Sequence, residues 1–248
     1  MANLIVAGNW KMNKTPKNGK IFISEVLSKI DDITNVDIIF FPPFTGLYNL
    51  DISPPFYLGA QNCHFKDSGA YTGEISVDML LECNVEYVII GHSERRQLFN
   101  EKNDLINKKV LKVLESGIKP ILCVGETIDE MNAGKAYDII KEQLISGLNS
   151  IKSLSNIIIA YEPVWAIGTG LTASTEQINK VHIFIRKILS QLFDEKESKN
   201  TQILYGGSVN SANANKLISI DGVNGFLIGG ASLDIVKFRE IITIVRDS

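Results

Sequence analysis

A glutamate fixed in front of a proline has the clearest chemical capacity in this chain. It lies in Ala160-Tyr161-Glu162-Pro163-Val164-Trp165-Ala166-Ile167-Gly168-Thr169-Gly170. An apolar run, Ile157 to Ala160, leads into it, and a glycine-punctuated loop follows. Proline at 163 disfavours helical backbone at Glu162, so this residue is expected at the last extended position of a buried strand. A carboxylate there, beside a loop that can close over it at glycines, suits a general base. A surface glutamate in a turn is the plainer alternative.

Three other groups could work with such a base. His92, in Ile89-Ile90-Gly91-His92-Ser93-Glu94, falls where a strand should end and a helix begin. A helix start disfavours imidazolium, so His92 reads as an uncharged hydrogen-bond donor able to polarise a carbonyl. Lys11, in Gly8-Asn9-Trp10-Lys11-Met12, is either a solvated charge or a cation that meets an anionic ligand and its developing oxyanion. Asn9 is a turn former or an amide aimed at the same oxygen. Gly206-Gly207-Ser208 and Gly229-Gly230 leave backbone N–H groups uncovered ahead of helix-like segments, as phosphate cradles do, although each could be no more than a tight turn. Together these groups suit proton abstraction from a carbon α to a carbonyl. The segment Val164–Ala173 would then be a lid that excludes water, with Gly168 and Gly170 permitting close approach to phosphate.

These residues need a scaffold that gathers them. Eight short apolar runs recur along the chain: Leu4–Ala7, Val36–Phe41, Tyr57–Ala60, Tyr87–Ile90, Pro120–Val124, Ile157–Tyr161, Gln202–Tyr205 and Phe226–Ile228. They are solidly apolar, as strands of a helix-covered parallel sheet are. Helical spacing lies between most of them, clearest in the stripe Ile178, Val181, Ile185, Ile188, Leu189, Leu192. Ser174 and Gln177 have capping-box spacing, and Thr15-Pro16 opens a first helix. The charged run 194–200 reads as a solvated helix end and loop, and His182 as a packing or surface residue. The pattern predicts an α/β closed (β/α)8 barrel forming one domain over residues 1–248. An open doubly wound sheet is disfavoured because no Gly-x-Gly-x-x-Gly follows the first strand. In a barrel, polar residues after each strand converge on one face: Asn9, Lys11, Gln61, Asn62, His92, Glu126 and Glu162, with the two glycine turns.

The bulk numbers narrow the partners. With 248 residues, 45% of them hydrophobic, the chain can bury a large core. A net charge of −3 argues against nucleic acid as a partner. Three cysteines without CxxC spacing read as reduced thiols of a cytoplasmic protein, and Cys63-His64 has no matching ligand cluster. No run reaches membrane-spanning length, and the N-terminus passes directly into strand-like sequence. Neither metal nor cofactor is expected, and the chemistry requires none.

The motifs Asn9-Trp10-Lys11-Met12-Asn13, Gly91-His92-Ser93-Glu94-Arg95-Arg96, the stretch from Ala160 to Gly170, Tyr205-Gly206-Gly207-Ser208 and Phe226 to Leu233 resemble the triosephosphate isomerase family, in order and along the whole chain. The resemblance implies a TIM barrel that interconverts dihydroxyacetone phosphate and D-glyceraldehyde 3-phosphate through an enediolate, in glycolysis and gluconeogenesis. It implies Glu162 as base, His92 as electrophile, and Lys11 with Asn9 as oxyanion and substrate contacts. Glu94 would support Lys11, Cys123 would position the base, and Gly168, Ser208, Gly229 and Gly230 would bind phosphate. It also implies a homodimer, in which the 61–76 loop enters the partner, Thr72 nears its Asn9 and Lys11, and Glu74 pairs with its Arg95. Read from the residues, that loop is either functional or disordered. One departure is Ser76-Val77-Asp78, which lacks a proline often found there and touches only a helix start. The rival readings are a Schiff-base aldolase, which needs a buried lysine on a strand near the pocket where no strand interior here carries one, and a barrel that binds sugar phosphates without catalysis.

Overall fold

A computed structural model describes residues 3–30, 33–167 and 172–248. Eight strands form its centre: β1 (Leu4–Asn9), β2 (Val36–Phe41), β3 (Phe56–Ala60), β4 (Val85–Ile90), β5 (Lys119–Val124), β6 (Ile158–Tyr161), β7 (Gln202–Tyr205) and β8 (Gly225–Ile228). They close in sequence order into a barrel, each parallel to the next, with β8 returning to β1. This is the predicted (β/α)8 architecture, and the strand bounds differ from the sequence reading by a residue or two. Helices occupy the connections, as parallel crossovers require.

Strand alternation divides the buried residues into two layers. Ile5, Ala7, Ile39, Phe41, Ile121, Cys123, Ile158, Ala160, Leu204 and Leu227 fill the barrel interior. Their neighbours Val6, Phe40, Leu122, Ile159, Ile203 and Phe226 face outward under the helices. A full apolar burial of this kind contributes roughly 1.5–3 kcal/mol per large side chain. Size alternates inside: a methyl on Gly59 would lie 2.1 Å from the Phe41 ring, so glycine there makes room for phenylalanine on the next strand. The period of two also fixes the site, because Asn9 follows Ile5 and Ala7 on the inward face, and Glu162 follows Ile158 and Ala160.

Local signals place the helices as expected. Thr15 caps Pro16–Leu27 by accepting the Asn18 N–H at 3.4 Å. Ser174 and Gln177 form a reciprocal capping box on Thr175–Leu192. Ser76 caps Val77–Leu81 without the missing proline. The run 194–200 differs from its expectation: Glu195–Asn200 is a separate short helix, because Asp194 accepts the Glu197 N–H at 2.7 Å and Lys199 pairs with Glu195. Among the described residues, no helix is long and apolar enough to cross a membrane.

His182 is fully buried on the long helix, with Nδ1 3.1 Å from the Gly222 carbonyl. Burial above all pushes its pKa from 6.5 down to about 4. Between those values the unfolded chain binds a proton that the native ring refuses, so the stability this group provides is complete above pH 6.5 and disappears as pH falls towards 4. His182→Asn should therefore flatten the decline of unfolding free energy over that window, by up to about 1.4 kcal/mol per pH unit. Identical slopes in urea titrations of the two proteins would clear His182 of this role.

Candidate active site

A cavity of about 330 Å³ opens at the carboxyl ends of the strands, lined by Asn9, Lys11, His92, Glu162, Gly206, Gly207, Ser208, Gly229 and Gly230. Barrels of this kind carry their chemistry on this face. Residues from five of the eight strand exits meet here.

Glu162 sits one position beyond β6 rather than within it, yet its backbone stays tied to the sheet, its N–H donating to Val124 O at 2.8 Å. The residue is 2% exposed. One carboxylate oxygen accepts the Ser93 N–H at 3.1 Å, and the other lies 3.1 Å from His92 Nε2. Close packing brings it there: a methyl on Gly125 would lie 1.8 Å from the Glu162 carbonyl, and one on Gly206 would lie 2.9 Å from Cγ of Glu162. The buried Cys123 thiol, on the inward face of β5, is pushed well above its usual pKa, by burial first and then by the Glu162 charge.

His92 caps the helix Ser93–Leu98, its Nδ1 accepting the Glu94 N–H at 3.2 Å. That bond occupies the Nδ1 lone pair, so the ring hydrogen belongs on Nε2, the nitrogen that faces Glu162 and the cavity. Gly91 makes the turn possible with a φ of +71°, a backbone state that favours glycine.

Lys11 adopts a left-handed backbone, φ +52°, which is costly outside glycine and asparagine. Three bonds hold it. Its N–H donates to Asn9 Oδ1 at 3.1 Å, and its carbonyl accepts from Gln61 Nε2 at 2.8 Å, while the same Gln61 nitrogen reaches Phe41 O at 2.9 Å. Nζ is anchored 2.6 Å from Glu94 Oε1 and passes over Gly229, where an added methyl would come within 3.6 Å of Cε. Gln61 thus acts behind the cavity, not in it.

The glycine turns are only partly as read. The Gly206 N–H is already given to Tyr161 O at 2.8 Å and so cannot serve an anion. Gly230 begins a short 3-10 turn, Gly230–Leu233, and a methyl there would meet open space. Gly168 lies outside the described residues, as does residue 170 of the same loop. Glu126 departs from the expected convergence, because it turns aside to accept from Trp165 Nε1 at 2.7 Å and Tyr161 OH at 3.2 Å. Burial raises its pKa. Asn62 likewise turns away, to the buried Lys109 Nζ at 2.9 Å. Lys109 reaches Glu101 Oε1 at 2.6 Å, and Arg95 Nε reaches the same oxygen at 2.6 Å. The sequence had no marker for Lys109 or Glu101, and Arg96 lay in the motif around His92 without a role, because these residues pair at a distance. Thr72 and Glu74 are exposed on the 61–76 loop, in which the Tyr71 ring lies 4.4 Å from that of His64.

Comparison with known proteins agrees with the barrel fold. The family model described as Triosephosphate isomerase matches residues 4–245. Curated relatives named triosephosphate isomerase include one from Aquifex aeolicus (strain VF5), 47% identical over 96% of this chain and 98% of its own. Another, from Alkaliphilus metalliredigens (strain QYMF), is 45% identical over 98% of this chain and 99% of its own. A third, from Chlamydia trachomatis (serovar D), is 45% identical over 96% of this chain and 88% of its own.

Replacing the amide that fixes Lys11 tests how the strained backbone is held. Gln61→Met removes two hydrogen bonds to carbonyls and should lower the unfolding free energy by about 1–3 kcal/mol in urea titration. An unchanged midpoint would show that Lys11 is secured by other contacts.

Proposed function

The chain belongs to the triosephosphate isomerase family, and we propose that its cavity carries out that family's reaction with Glu162 as base and His92 as electrophile. The chain is an isomerase of triose phosphates. It interconverts dihydroxyacetone phosphate and D-glyceraldehyde 3-phosphate. The observation that carries the residue assignment is the 3.1 Å approach of His92 Nε2 to Glu162 Oε1 at the wall of one cavity.

In this reading Glu162 takes a proton from the hydroxymethyl carbon of dihydroxyacetone phosphate. The electron pair of that C–H bond becomes the carbon–carbon double bond of the enediolate, and the carbonyl oxygen takes the negative charge. His92 Nε2–H donates to that oxygen, with the Lys11 ammonium and the Asn9 amide beside it. His92 then moves a proton between the two oxygens, and Glu162 returns its proton to the neighbouring carbon, giving the aldehyde. Ser208, Gly229 and Gly230, with Gly168 from the loop, meet the phosphate through backbone N–H groups. Glu94 orients Lys11, and Cys123 backs the base. Closure of the 164–173 segment would keep water from the enediolate, which can otherwise expel phosphate.

The whole chain, 1–248, would act as one cytoplasmic barrel domain in glycolysis and gluconeogenesis, and as a homodimer. Support for the dimer is exposed apolar surface: Met12 is 96% exposed, and Tyr71 of the 61–76 loop, Leu98 and Phe99 are exposed as well. Thr72 would then approach Asn9 and Lys11 of the partner subunit, and Glu74 would meet Arg95 of the partner subunit, whose Nε is already given to its own Glu101.

Incubation with dihydroxyacetone phosphate in D2O should place deuterium on the α-carbon and yield the aldose. Glu162→Gln should lower kcat by about 10²–10⁴-fold with little change in KM. Undiminished turnover in that variant would remove Glu162 from its role, and binding without exchange in the parent protein would favour a non-catalytic barrel. Thr72→Arg would place an unpaired charge in the contact and should give a monomer by sizing, with kcat reduced at least about tenfold. A dimer of full activity would count against the proposed contact.

A further inference from the structure

We propose that Arg96 is a positioning residue for the Glu162–His92 pair, acting by bracing the ends of β4 and β5 with one planar guanidinium. It does not line the cavity, and the inference rests on the roles proposed above for Glu162 and His92. Three nitrogens of the side chain are engaged at once. Nε donates to Gly91 O at 2.7 Å, Nη2 to Cys123 O at 3.0 Å, and Nη1 to Asn103 Oδ1 at 2.7 Å.

The identity of the two carbonyls gives the argument its force. Gly91 immediately precedes His92, in a turn whose left-handed φ must be maintained for the ring to cap its helix. Cys123 carries the thiol that lies against the Glu162 carboxylate. Each acid–base partner is therefore one residue or one side chain from an atom that Arg96 grips. The two grips belong to adjacent strands, so a shear of β4 against β5 would stretch one of them. Asn103, at the start of the next helix, holds the third corner and fixes the plane of the fork.

Only arginine suits this task. A rigid fork can satisfy divergent carbonyls simultaneously, whereas an ammonium on a flexible stem reaches them as a point charge. The position is also filled sterically, since a methyl on Gly91 would lie 3.0 Å from an Arg96 terminal nitrogen. Burial lowers the guanidinium pKa, and the nearby Glu162 charge opposes that shift. The cation thus stands within electrostatic reach of the base without touching it.

Arg96→Lys keeps the charge and loses the fork. Misplacement of reacting groups by a fraction of an ångström to one ångström lowers turnover more than binding, so kcat should fall about ten- to a hundredfold while KM stays within about threefold. Full kcat, or a rise in KM with kcat intact, overturns the inference. Should the lysine variant fail to fold, Asn103→Ala releases one corner without touching either strand. It should reduce kcat by about two- to tenfold with KM unaltered, and parental kcat in this variant overturns the inference equally. The parent protein is assayed alongside: absence of isomerisation there would overturn the assignment of Glu162 and His92, and this inference with it, whereas an active parent with insensitive variants overturns the inference alone.

Discussion

Both oxygens of the Glu162 carboxylate are occupied, one by the Ser93 N–H and one by His92 Nε2, and the rest of the site is organised around that arrangement. Both donors come from the exit of β4, while the carboxylate comes from β6. The strand between them, β5, must let the two approach, and it does so through Gly125, where any side chain would strike the Glu162 carbonyl. Gln143 then locks this bare stretch, donating to Gly125 O at 3.1 Å and accepting its N–H at 2.8 Å. An open sheet would leave the same residues in a row. Closure bends that row into a ring, which brings Asn9 and Lys11 from the first strand towards the partners from the fourth and sixth.

Much of this was legible in the sequence. Buried parallel strands are uniform apolar runs, so all eight could be read from residue type, and Glu162, Asn9 and His92 could be placed because they follow those runs within two residues. What escaped was whatever depends on pairs distant in sequence. Arg96 lies in a helix where an arginine reads as a solvated charge, and nothing in its neighbours announces carbonyls at 91 and 123. Glu126 was expected in the cavity because it follows a strand, but the indole of Trp165 and the phenol of Tyr161 draw it aside. The left-handed backbone of Lys11 was hidden for another reason: lysine has no preference for it, and it is held through bonds to Asn9, Gln61 and Glu94.

The chain also keeps charged groups in its interior, and it does so in company. Lys109 is 2% exposed, yet it meets Glu101 and Asn62, and Glu101 in turn meets Arg95. Removing one member of such a set leaves a buried charge without its counterpart, which typically costs about 3–5 kcal/mol. The network joins the base of the 61–76 loop to the helix that begins at Ser93. The surface that would face a second subunit and the helix that His92 caps are thus joined through Lys109 and Glu101, which lie on neither.

The cysteines carry a consequence of another kind. Burial pushes Cys63 up to about 12, and Cys123 lies well above the ordinary thiol range. Since the sulfur anion is the form that reacts, burial keeps both thiols in their unreactive form at neutral pH even before access is considered. Alkylating reagents would thus find these two sulfurs silent in the native protein and responsive only when the strand ends part. Their labelling rate is a clock for breathing of the barrel, written into the chain without any added probe.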